Sequence, residues 1–142
     1  MVSAEGWEDP LVSKVLRYID RRQRNRAASE LSPYGSLEGV VDVFRLEGAL
    51  PELVSEIAVL SGIHNRLLTR MLDDMAGEPL AILCKATGLK WPAFESFWTG
   101  LGRVMQHDAV EQARKVHDSL SVEKAQTVLR YWNLSVEDGD KR

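Results

Sequence analysis

Apolar residues recur at helical spacing along most of the chain, and one arrangement of them occurs twice. Ile57-Ala58-x-x-Ser61-Gly62-Ile63, with Leu68 and Met71 behind it, is matched 26 positions on by Leu83-Cys84-x-x-Thr87-Gly88-Leu89, with Phe94 and Phe97 behind. Each copy predicts a helix, a turn centred on glycine and a second helix. The two hairpins are expected over residues 49–75 and 79–101. In this register Phe94 and Phe97 take the places of Leu68 and Met71, so all four belong to a core.

The rest of the chain reads the same way. Asp9-Pro10 pairs an N-cap residue with a helix-opening proline, and Leu11, Val12, Val15, Leu16 and Ile19 follow at helical spacing. Ser32-Pro33-Tyr34-Gly35-Ser36 is a turn cluster. Val40-Val41-x-Val43-Phe44 has the composition of a strand, but Ser36 stands where a helix cap would, and a helix is the reading taken. Pro51, Pro79 and Pro92 open further helices, and Gly88 ends one. Two last helices are expected around Val104, Met105, Val110, Ala113, Val116 and His117, and around Val122, Ala125, Val128, Leu129 and Trp132, the second restarting at Ser119 or Ser121. No alternating β-branched run occurs. The expected architecture is all-α: stacked helical hairpins, seven or eight helices, one domain over 1–142, with flexible ends at 1–8 and 135–142.

Composition narrows the functional classes. At 142 residues, 44% hydrophobic and 27% charged, the chain is an ordinary globular domain large enough for a substantial core. Its net charge of −3 argues against coating nucleic acid or anionic membrane through bulk electrostatics. The single cysteine, Cys84, lies in an apolar helical pattern and reads as a buried structural thiol. The first residues lack the basic and apolar regions of a signal peptide, and no apolar run nears the ~18 residues of a membrane span. A cytoplasmic location away from membranes is expected.

The small residue four positions before each turn glycine (Ala58 before Gly62, Cys84 before Gly88) is what a DNA-reading helix-turn-helix requires. Any tight helical hairpin requires it too. The second helix of the first copy offers His64, Asn65, Arg66, Thr69 and Arg70, a set suited to bases and phosphates. The second copy offers Lys90, Trp91, Pro92 and Glu95, which is not. Residues 38–78 hold eight acids and three bases, a net of −5, which opposes the phosphate neutralisation that gives duplex binding its affinity. The one basic run, Arg21, Arg22, Arg24 and Arg26, would suit phosphates or an acidic partner, although a solvated helix end is the simpler reading. His64, His107 and His117 share no ligand spacing, so no metal or other cofactor is expected. The adjacent pairs Asp73-Asp74 and His117-Asp118 read as surface charges. Trp91 and Trp98, two turns apart, together with Gly100 and Gly102, form the expected anchor for a partner or a second copy of the chain, with core packing as the alternative.

Leu60-Ser-Gly-Ile63, Gly77-Glu-Pro-Leu-Ala-Ile-Leu-Cys-Lys-Ala-Thr-Gly-Leu89 and Phe94 resemble the DUF2336 family of uncharacterised bacterial proteins. The resemblance covers Leu53–Leu101, extends weakly toward Trp132 and is not carried by residues 1–40. It implies a cytoplasmic bacterial helical protein, and it transfers no catalytic or binding residue. The function expected is a helical protein-interaction or regulatory module. A DNA-binding regulator is the alternative, and an enzyme of unknown type is third.

Overall fold

The computed structural model describes residues 32–103 and 107–140, the side chains of residues 107 and 137–140 excepted. The predicted first helix and the run Arg21, Arg22, Arg24 and Arg26 lie outside the described residues. Among the described residues there are seven helices and no strand. They are α1 (Leu37–Glu47), α2 (Pro51–Ser61), α3 (Asn65–Asp73), α4 (Glu78–Ala86), α5 (Trp91–Gly100), α6 (His107–Ser119) and α7 (Val122–Asp140).

Local chemistry sets most of the boundaries. The Ser36 hydroxyl accepts the Gly39 N–H at 3.0 Å and caps α1, so the β-branched stretch at Val40–Phe44 is helical. Val40, Val41 and Phe44 then fall on one buried face. The Ser121 hydroxyl caps α7 in the same way through the Lys124 N–H at 3.1 Å. Proline lies in the first turn of α2, α4 and α5, where its missing N–H costs nothing.

The two copies of the glycine motif make the same turn. Gly62 and Gly88 have φ of 73° and 78°. Ile63 N–H bonds to the Ala58 carbonyl at 3.1 Å, and Leu89 N–H to the Cys84 carbonyl at 2.8 Å. Both are the six-residue closure of a left-handed helix C-cap. The small residues recognised in the sequence thus supply the carbonyls that close the turns.

α4 is the centre of the fold. It packs against α3, α5, α6 and α7, while α1 packs against α5 and α2. Leu80, Ala81, Leu83 and Cys84 of α4 are fully buried. Ala113 of α6 and Ala125 of α7 are fully buried as well, and such small side chains admit close helix approach. Ala125, Leu129 and Val136 line the inner side of α7. That apolar register explains why α7 runs to Asp140, through part of the segment expected to be loose.

Candidate partner-binding face

The residues singled out in the sequence end up in two different environments. Trp91 and Trp98 are inside, with 9% and 2% of their surface exposed. Trp91, Phe94 and Trp98 lie at i, i+3 and i+7 of α5 and stack in a column, with centroids 4.4 Å apart for Trp91–Phe94 and 5.3 Å for Phe94–Trp98. A guanidinium covers each end: Arg114 lies 5.5 Å from the Trp91 ring and Arg103 4.8 Å from the Trp98 ring. The helix start at Gly77 passes so close that a Cβ there would sit 2.9 Å from the Trp98 ring. Gly100 is approached by this chain's own Phe44, whose ring and carbonyl fill the place of a Cβ. Gly102 forms the left-handed cap after α5, with φ of 72°. Both tryptophans are thus packed inside the chain, Trp98 against Gly77 and Arg103 and Trp91 against Arg114.

A second set of residues ties helix ends together, and no sequence pattern marks Arg103, Gln126 or Asn133 among them. Arg103 donates to the Leu72 carbonyl at 2.6 Å and to the Asp74 carbonyl at 3.0 Å, closing the C-terminus of α3 with a cation. Gln126 Nε2 donates to the Ala86 carbonyl at the end of α4, at 3.2 Å. His117 is buried, so its reading as a surface charge is corrected. Its Nε2 lies 3.2 Å from the Leu89 carbonyl, which can only accept, and its Nδ1 lies 3.4 Å from Asp118 Oδ1. Asn133, also buried, accepts the His64 N–H through Oδ1 at 2.7 Å. These side chains, Asn133 accepting and Arg103 and Gln126 donating, reach backbone groups from positions that are remote in sequence, and backbone groups leave no signature in composition.

α3 is thereby held at both ends, by Asn133 at its start and Arg103 at its finish. Leu67, Leu68, Met71 and Leu72 are buried on its inner side. Asn65, Arg66, Thr69 and Arg70 are exposed on its outer side, and His64 is half-buried at the N-cap. Asn65 Nδ2 donates to Ser55 Oγ of α2 at 3.0 Å. Ser55 and Val59, one turn apart on α2, are both exposed, Val59 by 54%. The Asn65–Ser55 bond joins the outer sides of α2 and α3, which also expose Val59, Arg66, Thr69 and Arg70. The corresponding helix of the second copy, α5, buries Trp91, Phe94, Ser96, Phe97 and Trp98. One hairpin displays its second helix and the other uses it as a strut.

Burial pushes the Cys84 thiol up to about 12, which removes the thiolate needed for nucleophilic or metal chemistry at neutral pH. Among the described residues no group of three His, Cys, Asp or Glu side chains is placed to hold a metal ion, and no helix is long and apolar enough to cross a membrane.

The chain belongs to DUF2336, a family described as an uncharacterised protein conserved in bacteria, whose profile matches residues 3–130. The match extends well beyond Leu53–Leu101 and takes in the N-terminal segment that carried no resemblance by inspection. No curated protein and no solved structure matches the chain.

Proposed function

We propose that the chain is a helical protein-interaction module, regulatory in effect, that presents the joined outer face of α2 and α3 to a protein partner. One observation carries this reading. α3 is tied at both ends by side chains from distant parts of the chain, yet it keeps Asn65, Arg66, Thr69 and Arg70 exposed. A rigidly held helix with an uncovered polar side loses little entropy when a partner docks. A cytoplasmic location suits this role.

DNA recognition remains the second reading, favoured by the same side chains following a glycine turn. The acidic balance of residues 38–78 opposes it.

The test is affinity capture from bacterial extract with quantitative mass spectrometry, comparing the wild-type chain with Val59→Asp/Arg70→Glu. Both positions are exposed, so the variant should fold normally. The expected result is a protein retained by the wild type and lost by the variant. Proteins captured equally by both would remove the α2–α3 face from the reading.

A further inference from the structure

The outer side of α1 carries a ridge that runs from acid to leucine. Glu38, Asp42 and Leu46 stand at i, i+4 and i+8, each one turn above the last, and all three are exposed, Leu46 by 73%. Leu50, just past the Gly48 cap, is 43% exposed. Neither Glu38 nor Asp42 makes an ion pair with a described residue. The ridge therefore offers two carboxylates near the start of α1 and apolar surface at and beyond its end.

The sequence preceding α1 carries the reverse pattern. Leu11, Val12, Val15, Leu16 and Ile19 make the apolar stripe of the helix that Asp9-Pro10 is read as opening. Arg22 and Arg26 continue that stripe at i+3 and i+7 from Ile19, four residues apart as Glu38 and Asp42 are. Sequential elements neighbour one another in most folds, and a turn between two helices sends the second back along the first. Such a turn lies before α1, where the Gly35 N–H bonds to the Ser32 carbonyl at 3.1 Å. In the antiparallel direction one register sets Arg26 against Glu38 and Arg22 against Asp42, pairs that guanidinium geometry favours. The same register brings Ile19, Leu16 and Val15 alongside Leu46 and Leu50. Arg45, the one cation of α1, then falls level with apolar Ile19 and not with an arginine. The family match begins at residue 3, so this segment is part of the family's unit. We infer that residues 10–26 dock on the outer ridge of α1 as an antiparallel helix, with Arg22 and Arg26 against Asp42 and Glu38 and the apolar stripe against Leu46 and Leu50.

The experiment follows hydrogen exchange and sedimentation of the full chain. It compares the wild type with Leu46→Asp, Arg22→Glu/Arg26→Glu, Glu38→Arg/Asp42→Arg and the variant that combines both reversals. The substituted positions of α1 are exposed, so exchange in α2 to α7 should stay as in the wild type. Amides of residues 11–19 should be protected in the wild type, to the same degree at every protein concentration. Leu46→Asp should speed their exchange at least about tenfold. Each charge reversal alone should speed it as well, and the combination should restore slow exchange. Unprotected amides over 11–19 in the wild type, or protection indifferent to Leu46→Asp and to both reversals, would overturn the inference. A combined variant that exchanges faster than either reversal would overturn the register. Protection that grows with concentration, together with a dimer in sedimentation, would overturn it in favour of a second copy of the chain.

Discussion

Asn133 and His64 join the last helix to the start of α3 across 69 residues of chain: the buried carboxamide Oδ1 accepts the His64 N–H at 2.7 Å. Asn133→Leu keeps the volume and removes the acceptor, which leaves a part-buried N–H without its partner. The expected cost is about 1–3 kcal/mol, measured by urea unfolding. A change within about 0.5 kcal/mol, the range of ordinary surface substitutions, would show that the bond does not hold α3.

Gly77 and Trp98 should be coupled. Gly77 has φ of 79°, and a Cβ there would lie 2.9 Å from the Trp98 ring. Gly77→Ala therefore pays for an unfavourable backbone and for a collision, and should lose more than about 1 kcal/mol. Trp98→Ala should lose about 3–5 kcal/mol. In the double mutant the collision is gone, so the losses should sum to less than additive. Strict additivity in a double-mutant cycle would mean that the two residues do not press on one another.

Ser61 and Thr87 occupy matching places before Gly62 and Gly88 but differ in what their hydroxyls do. Thr87 Oγ1 donates to the Leu83 carbonyl at 2.8 Å, whereas the buried Ser61 hydroxyl has no hydrogen-bond partner among the described residues. Ser61→Ala removes an unsatisfied polar atom and should leave stability unchanged or raise it by up to about 1 kcal/mol. A clear loss in thermal unfolding would mean that the Ser61 hydroxyl is bonded in the folded chain.

Cys84 should be silent to thiol reagents until the chain unfolds. With its thiol raised from an ordinary 9.0 to about 12, roughly one molecule in ten thousand is a thiolate at pH 8. The sign of the pH effect follows. The unfolded chain loses this proton first, so the contribution to stability is complete below about pH 9 and declines as pH rises toward 12. Cys84→Ala should show a shallower alkaline decline. Rapid labelling of native protein, or identical alkaline slopes, would contradict the burial.

Features governed by neighbours in sequence were legible, and features governed by tertiary meeting were not. Gly62 and Gly88 announced their turns because only a left-handed residue closes that cap cheaply, and Ser36 announced α1 despite its β-branched content. The arginine, asparagine and glutamine ties were invisible because their acceptors and donors are main-chain groups, which every residue possesses. Trp98 shows a subtler limit. A small residue beside a tryptophan signals close approach without naming what approaches, and at Gly100 it is Phe44 of the same chain. The polar stripe on α3 was readable as surface. Its junction with α2 depended on the Asn65–Ser55 bond, between side chains on different helices.

Difference hydrogen exchange on the full chain, with and without the partner that the wild type retains and Val59→Asp/Arg70→Glu loses, tests the central claim most directly. Exchange should slow in Ser55–Val59 and in Asn65–Arg70, with Trp91–Trp98 unaffected. Slowing confined to α5 or α6, with α2 and α3 unchanged, would contradict it.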